Sequence, residues 1–316
     1  MTAPGMKLLF DEDLVEAVAF LCASGRRKGA PALQIRRFHA EREKLYSILD
    51  PDERNTAFFQ LHLDWFREWK VEDLLRAVVR DFPLLEQNLH GLAFRKARGR
   101  NEEGAELFVN VEKGRNGIVA IRAERFETDE SLRRFLNHEL MHVSDMVDPS
   151  FGYSPELALS AAARANERLV RERYRLLWDV TIDGRLHQRA LATEASRDMR
   201  WTEFHRAFAF WPDERRLETF DSLWLDQAPR HETLIALASD PRNLRVEHRA
   251  LPGAPCPLCG FATFDWTDTS ALAPATVEMI RTEFPLWKEG DGACARCVEV
   301  YDAAQRLNRT ADPYLV

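Results

Sequence analysis

Four of the five cysteines form two pairs, Cys256/Cys259 and Cys294/Cys297, and this pattern limits the fold more than any other feature of the chain. The two-residue gap within each pair lets both thiolates bind one ion, and four thiolates make a closed tetrahedral zinc site. In a cytosolic chain such pairs hold metal more often than disulfides. The pattern therefore predicts a small C-terminal module that folds around one structural zinc ion.

The two cysteine pairs are separated by 34 residues, which exceeds the common spacing and predicts an inserted helix. Pro274–Phe284 is the best candidate, because Pro274 suits the first position of a helix and Pro285 stops it. Gly260 permits the tight turn of a metal-binding knuckle. Residues 251–255 have the composition of a linker, so we expect the module over 251–316. It resembles a zinc-ribbon or treble-clef-like module.

Residues 1–91 predict a helical N-terminal region that is followed by a small sheet. Apolar residues at helical spacing mark four segments between prolines: Asp11–Leu21, Arg37–Leu49, Glu53–Trp69 and Val71–Val79. Three short runs of β-branched or alternating residues follow: Leu92–Ala97, Ala105–Val111 and Ile118–Phe126. Residues 113–117 have the composition of a hairpin turn. We therefore expect an α+β, predominantly helical chain with a three-stranded sheet.

A helix predicted over Leu132–Met146 carries His138, Glu139 and His142 in the spacing HExxH. Residues four apart lie on one face of a helix, so both imidazoles can reach one ion. Glu139 lies about 100° round the helix from His138, beside the open position of the metal. Zinc held by two histidines and a carboxylate activates water, and Glu139 can then act as general base and return the proton to a leaving amine.

The strands, the HExxH helix and the helix after it resemble the zincin metallopeptidases over Leu92–Glu194. The resemblance rests on His138, Glu139 and His142, and it implies two zinc ligands and a catalytic base at these positions. It also implies that the sheet packs on the HExxH helix. We expect this zincin-like core over residues 92–250.

The third zinc ligand is predicted on the following helix, as in the gluzincin branch, where an acidic residue on a later helix completes the site. Asp179 and Asp183 lie four residues apart on one helical face, where acids are costly unless they are paired or bind metal. Gly184 would let this helix approach the HExxH helix closely. We expect Asp183 to be the ligand and Asp179 to orient a ligand histidine. The usual gluzincin ligand is glutamate, so an aspartate departs from the branch.

Two other interpretations of the acidic residues near the HExxH motif remain open. In the first, the aspartates only pair with Arg185 or Arg189. Residues 142–148 also resemble the metzincin continuation, in which Asp148 would be the third ligand. Asp145, however, replaces the glycine at which the metzincin chain reverses, and Asp148 before a proline is typical of a helix end.

A zincin core followed by a four-cysteine module is also similar in architecture to the SprT-like proteases. Those proteases use a third histidine soon after HExxH. The next histidine in this chain is His187, which is too distant in sequence to match directly. The DNA-linked role of that family is therefore not expected here.

Composition adds the expected compartment and partners. The 44 basic and 51 acidic residues give a net charge of −7, which does not indicate a general nucleic-acid or membrane binder. No apolar run approaches the roughly 18–20 residues of a membrane span, and the start offers no signal-peptide core. We expect a cytoplasmic protein without membrane or nucleic-acid partners.

Together these features predict a zinc-dependent hydrolase, a metallopeptidase with one catalytic and one structural zinc ion and a peptide or protein substrate. Tyr153 and Arg185 are candidates for the group that stabilises the oxyanion. One alternative is a non-catalytic, zinc-stabilised protein that binds a partner or nucleic acid through the C-terminal module. Another is a metal hydrolase that acts on a bond other than a peptide bond.

Overall fold

A computed structural model describes residues 6–109, 114–155, 167–239, 253–284 and 287–310. The chain divides into two compact units, one formed by 1–156 with 175–231 and the other by 157–174 with 232–316. The described part is predominantly helical with small sheets, as expected for the α+β class. No helix in these ranges is both long and apolar enough to cross a membrane.

The first unit contains a four-stranded sheet with the order β1–β2–β4–β3. Its strands are β1 (Lys7–Phe10), β2 (Gly91–Lys96), β3 (Gly104–Val109) and β4 (Arg115–Ile121). β1, β2 and β4 are parallel, whereas β3 is antiparallel to β4, with Gly104 opposite Ala120. The three predicted strands are present, but β1 makes the sheet four-stranded rather than three-stranded. The strand predicted over Ile118–Phe126 ends at Ile121, and Ala123–Glu127 forms a 3-10 helix instead. Residue 113 of the expected hairpin turn lies outside the described ranges, and residues 115–117 belong to β4.

β1 joins the N-terminal region to the sheet. Lys7–Phe10 pairs with Gly91–Phe94 of β2, so the boundary predicted at residue 91 lies inside the first unit. Asp11 then caps the next helix, accepting a hydrogen bond from the Leu14 backbone N–H at 3.3 Å. The Lys96 backbone N–H also donates to the Asp11 carboxylate, at 3.1 Å, and this bond connects Asp11 to the end of β2.

Helices account for most of the first unit. They are α1 (Glu12–Ala23), α2 (Ala32–Leu45), α3 (Pro51–Glu68), α4 (Val71–Val79), α5 (Pro83–Asn88), α6 (Asp129–Val147), α7 (Glu167–Gln188, of which 175–188 lie in this unit), α8 (Arg197–Ala207) and α9 (Asp213–Leu225). Helix α1 packs on β2 and α3, while α4 and α5 pack on α6. The buried face of α1 is apolar because Leu14, Val15, Val18 and Ala19 follow a helical spacing.

Helix α6 is the HExxH helix, and it is buried along most of its length. Thr128 caps it by accepting a hydrogen bond from the Ser131 N–H at 3.1 Å, and Asp129 and Glu130 place negative charge in the first turn. Leu136, Leu140 and Val143 are fully buried, and the helix contacts β3. The sheet therefore lies against the helix that carries the two histidines, as predicted.

Gly184 of α7 makes a close approach to a helix other than the predicted one. A Cβ at this position would lie 2.2 Å from the backbone oxygen of Trp224 in α9. The expectation that Gly184 faces α6 is thus corrected, because the space that a side chain would occupy is filled by the C-terminal end of α9.

The second unit contains helix α10 (His231–Ser239, whose first residue still belongs to the first unit) and the cysteine module. In the module, β5 (Ala254–Pro255) pairs with β6 (Ala262–Thr263), and β7 (Trp266–Thr267) pairs with β8 (Ala293–Cys294). Helix α11 (Pro274–Glu283) is the predicted inserted helix, and α12 (Ala295–Thr310) begins within the second cysteine pair. Val277, Ile280 and Trp287 form a small apolar core.

Candidate metal centre and cleft

The four cysteines of the C-terminal module are brought together, as predicted. Cys256 Sγ lies 3.9 Å from Cys297 Sγ, and Cys259 Sγ lies 3.9 Å from Cys294 Sγ. Four sulfurs bound to one zinc at about 2.3 Å would be about 3.8 Å apart at the edges of a tetrahedron. The observed separations therefore fit a four-thiolate metal site.

Local structure around Cys256 prepares its sulfur for ionisation. Burial opposes the thiolate, but backbone N–H groups that donate to the sulfur lower the pKa of Cys256. One of these donors is the Cys294 N–H, at 3.3 Å. Gly260 adopts a left-handed conformation in which its N–H donates to the Cys256 carbonyl at 2.8 Å, which gives the tight turn that the sequence predicts.

A second cluster of potential metal ligands consists of His138, His142 and Asp179. Asp179 Oδ1 lies 3.4 Å from His138 Nε2 and 3.1 Å from His142 Nε2. Ligand atoms at about 2.0–2.2 Å from a tetrahedral ion are about 3.3–3.6 Å apart. These three side chains are therefore placed as a ligand set, and the donor atoms are of the kind that binds zinc.

Asp183 lies behind His138 rather than in this ligand set. It is fully buried, and its Oδ1 lies 3.2 Å from His138 Nδ1. A proton on Nδ1 that is donated to Asp183 leaves Nε2 with its lone pair free on the side of Asp179. The geometry thus favours Asp179 as third ligand and Asp183 as the residue that orients His138, the reverse of the sequence-based prediction.

Arg200 of α8 is a component of this cluster that the sequence did not indicate. The side chain is buried, and its Nε donates to Asp183 Oδ2 at 2.7 Å. Its Nη1 lies 3.6 Å from Asp179 Oδ2. No local motif distinguishes Arg200 from other helical arginines, and only the packing of α8 beside α7 brings it to the two acids.

Charge in the cluster favours a positive charge at His138. Burial opposes protonation of His138, but hydrogen bonds and charge from Asp179 and Asp183 outweigh it and raise the pKa of His138 to about 10. Burial likewise opposes ionisation of Asp179, yet its contacts with His138 and His142 lower its pKa. The two aspartates therefore favour positive charge beside the imidazoles, and Arg200 balances one of the two carboxylates.

A buried clamp joins α6 to α7 below the histidines. Asp145 accepts hydrogen bonds from both terminal nitrogens of Arg185, at 2.7 and 2.6 Å, and from Trp178 Nε1 at 2.7 Å. The Trp178 ring meets His142 edge to face, with 4.4 Å between the centroids. Arg185 is thereby held inside the protein, away from the histidine cluster.

Glu139 lies on a different side of α6 from His138 and His142, as the HExxH spacing predicts. Its Oε2 accepts a hydrogen bond from the Ala105 backbone N–H of β3 at 2.9 Å. Glu139 and His138 both line a cleft of about 710 Å³. The carboxylate is only partly buried, so it is accessible from the cleft while strand β3 holds its position.

The other predicted candidates lie outside this cleft and this cluster. Asp148 Oδ1 accepts hydrogen bonds from the N–H and the hydroxyl of Ser150, at 2.8 and 2.7 Å, and follows the end of α6 as a helix stop. The Tyr153 ring packs near Trp178 and His231, with centroids 5.8 and 5.4 Å away. Neither residue belongs to the His–His–Asp ligand set or lines the cleft among the described residues.

Comparison of the chain with protein-family models, with curated proteins and with solved structures found no match.

Proposed function

We propose that the chain is a zinc-dependent hydrolase, a metallopeptidase in which His138, His142 and Asp179 hold the catalytic ion. The observation that carries the proposal is the convergence of both histidine Nε2 atoms on Asp179 Oδ1, at 3.4 and 3.1 Å, next to a cleft that Glu139 lines. A divalent ion in this position supplies Lewis-acid activation of water and of a carbonyl.

The roles of the protein residues follow from their contacts. Glu139 is the general base, because it faces the cleft beside His138 and can take a proton from water and return it to a leaving amine. The Ala105 N–H fixes one oxygen of Glu139 at 2.9 Å and leaves the other for proton transfer. Asp183 fixes the tautomer and orientation of His138.

The second ion is structural in this proposal. An ion bound by all four cysteines has no open coordination position. This site therefore stabilises the module and does not catalyse. Metal binding to such a site contributes directly to folding, because the ligands converge only in the folded module.

Glu139→Gln tests the proposal, with Glu106→Gln as matched control. Both glutamates are on or beside β3, but Glu106 is exposed and does not line the cleft. We expect both variants to carry two zinc ions per chain by elemental analysis. Cleavage of a peptide library should fall about 10²–10⁴-fold in Glu139→Gln only. A single zinc per wild-type chain, or full activity of Glu139→Gln, contradicts the proposal.

A second candidate function is a non-catalytic protein that binds a partner through the zinc module. Phe261 and Phe264 favour it, because their side chains are 74% and 81% exposed near the first cysteine pair. Large exposed aromatics are common at binding surfaces. Under this alternative, Phe261→Ser with Phe264→Ser would abolish partner binding, and Glu139→Gln would have no effect on any function.

A further inference from the structure

The cleft beside Glu139 is lined mainly by charged side chains. Three arginines and three glutamates accompany Ser131, Phe135 and the two motif residues: Arg100, Arg122, Arg125, Glu103, Glu124 and Glu194. Phe135 is the only large apolar residue among them. A substrate that fills this cleft must therefore satisfy charged groups rather than an apolar pocket.

One of the three arginines already has its carboxylate partners. Arg125 contacts Glu103 through Nε and Nη2, at 3.0 and 3.2 Å, and Glu194 through Nη1 at 3.0 Å. Its guanidinium also covers the Phe135 ring. Glu103 is almost fully buried beneath these contacts, and burial opposes its charge, but Arg125 and Arg122 lower its pKa. Arg125 bridges the two glutamates, and Arg122 beside Glu103 supplies the second positive charge that balances them.

Arg122 and Arg100 have donors that these ion pairs do not use. Arg122 Nε lies 3.1 Å from Glu103 Oε2 without hydrogen-bond alignment, and its side chain is 24% exposed. Its backbone N–H donates to Glu103 Oε1 at 3.3 Å, and among the described residues its terminal nitrogens form no hydrogen bond. Arg100 is exposed and forms no ion pair with any described residue. Two guanidinium groups thus line the cleft with unused donors.

The backbone places these two arginines close to the general base. Arg122 follows the end of β4 and Arg100 precedes β3, so both lie at the same end of the β3–β4 pair. Ala105, whose N–H holds Glu139, is the second residue of β3. A substrate group held by the arginines would therefore lie within a few residues of the bond next to Glu139.

We propose that Arg100 and Arg122 form a carboxylate-recognition subsite, so that the enzyme selects peptides with a carboxylate close to the cleaved bond. The proposal rests on the proposed peptidase function and names its substrate class. A guanidinium binds a carboxylate through two parallel N–H donors, which gives both strength and direction. The carboxylate belongs to an acidic side chain or to the free C-terminus of the peptide.

The test measures binding separately from cleavage. Zinc-loaded Glu139→Gln protein is titrated with fluorescent peptides that carry glutamate or glutamine at each position in turn, and with the same peptides as C-terminal acids or amides. Carboxylate peptides should bind about 10–100-fold more tightly than their neutral counterparts, as for hydrogen bonds to charged groups. The glutamate series and the C-terminal series distinguish the two sources of the carboxylate.

Variants in the Glu139→Gln background identify the residues responsible. Arg100→Gln and Arg122→Gln should each reduce the carboxylate preference, and Arg122→Lys should retain part of it. Arg98→Gln, an exposed arginine outside the cleft lining, should leave the preference unchanged. Glu124→Gln should increase it, because a neighbouring negative charge is removed. Thermal melts confirm that each variant folds, and Arg100→Gln has no described ion pair to lose.

Equal binding of acidic and neutral peptides, or an undiminished preference in the Arg100→Gln/Arg122→Gln double variant, overturns the subsite. The latter outcome assigns the two arginines to the structural network around Glu103. Carboxylate-selective binding that depends on these arginines supports the subsite even where wild-type protein cleaves none of the peptides. In that case the peptidase proposal fails separately.

Discussion

Asp145→Ala removes the acceptor that joins α6 to α7. In the wild-type protein Asp145 is 4% exposed and Arg185 is 5% exposed, so the ion pair is shielded from solvent. The variant leaves the Arg185 guanidinium buried without its carboxylate and also deprives Trp178 Nε1 of its acceptor at 2.7 Å. Loss of one partner from a buried pair destabilises a protein by about 3–5 kcal/mol.

The predicted loss is large enough to measure by thermal unfolding. For a compact unit of this size each kcal/mol corresponds to about 2–4 °C, so we expect a fall of about 6–20 °C in the transition of the first unit. Differential scanning calorimetry with circular dichroism separates this transition from that of the second unit. Zinc affinity at the histidines should also weaken, because the clamp sets the position of α7 relative to α6.

Two further variants decide whether the buried charge causes the loss. Asp148→Ala, at the end of the same helix, removes only hydrogen bonds to Ser150 and should cost about 1 kcal/mol. Asp145→Leu with Arg185→Met replaces the pair by apolar side chains and should recover much of the stability. The reasoning is refuted if Asp145→Ala costs less than about 1 kcal/mol, or if the double variant is no more stable than the single one.

Three other predictions follow from the fold and the site. Asp179→Ala should eliminate one of two bound zinc ions. Asp183→Asn should keep both ions at saturation, but its affinity for the ion at the histidine cluster should fall about 10–100-fold, as measured by chelator competition. The opposite result would make Asp183 the ligand. Gly184→Ala should lower the melting temperature markedly because its Cβ meets Trp224, and Gly99→Ala, which has open space, should not. Burial lowers the pKa of His62, so the folded protein binds a proton at this ring less readily than the unfolded chain does. The unfolded chain binds a proton at about pH 6.5, so stability should fall as the pH drops below that value. His62→Leu should show a smaller decline in denaturant titrations at pH 7 and pH 5, and an unchanged decline would contradict the assignment.

The parts of the site that the sequence predicted are those encoded by local spacing. His138, Glu139 and His142 lie within five residues of one helix, so the helical period alone determines which side chains share a face. The same applies to the two cysteine pairs, whose internal spacing fits one ion. The cysteine cluster has the expected composition in the structure, and the second cluster contains both expected histidines but Asp179 in place of Asp183. That zinc is the bound ion is a prediction.

Roles that depend on the crossing of helices could not be predicted in this way. Asp179 and Asp183 were identified as inward-facing acids, but the rotation of α7 against α6 decides which of them faces His138 Nε2 and which faces Nδ1. Arg200 arrives from a third helix and carries no local signal. Strand β1 has no clear signal in the sequence, because four residues are too few to show an alternating pattern of apolar and polar side chains. Its pairing with β2 is a long-range contact that the local sequence does not encode.

The first unit is discontinuous in the chain, and the ligand cluster lies across this discontinuity. His142 belongs to the segment before residue 156, and Asp179 belongs to the segment that begins at residue 175. An ion shared by the two side chains would close the intervening loop as a covalent cross-link does. For a loop of this length the reduced entropy of the unfolded chain corresponds to about 4 kcal/mol. A metal ion bound at this cluster would thus tether the two segments of the unit to each other.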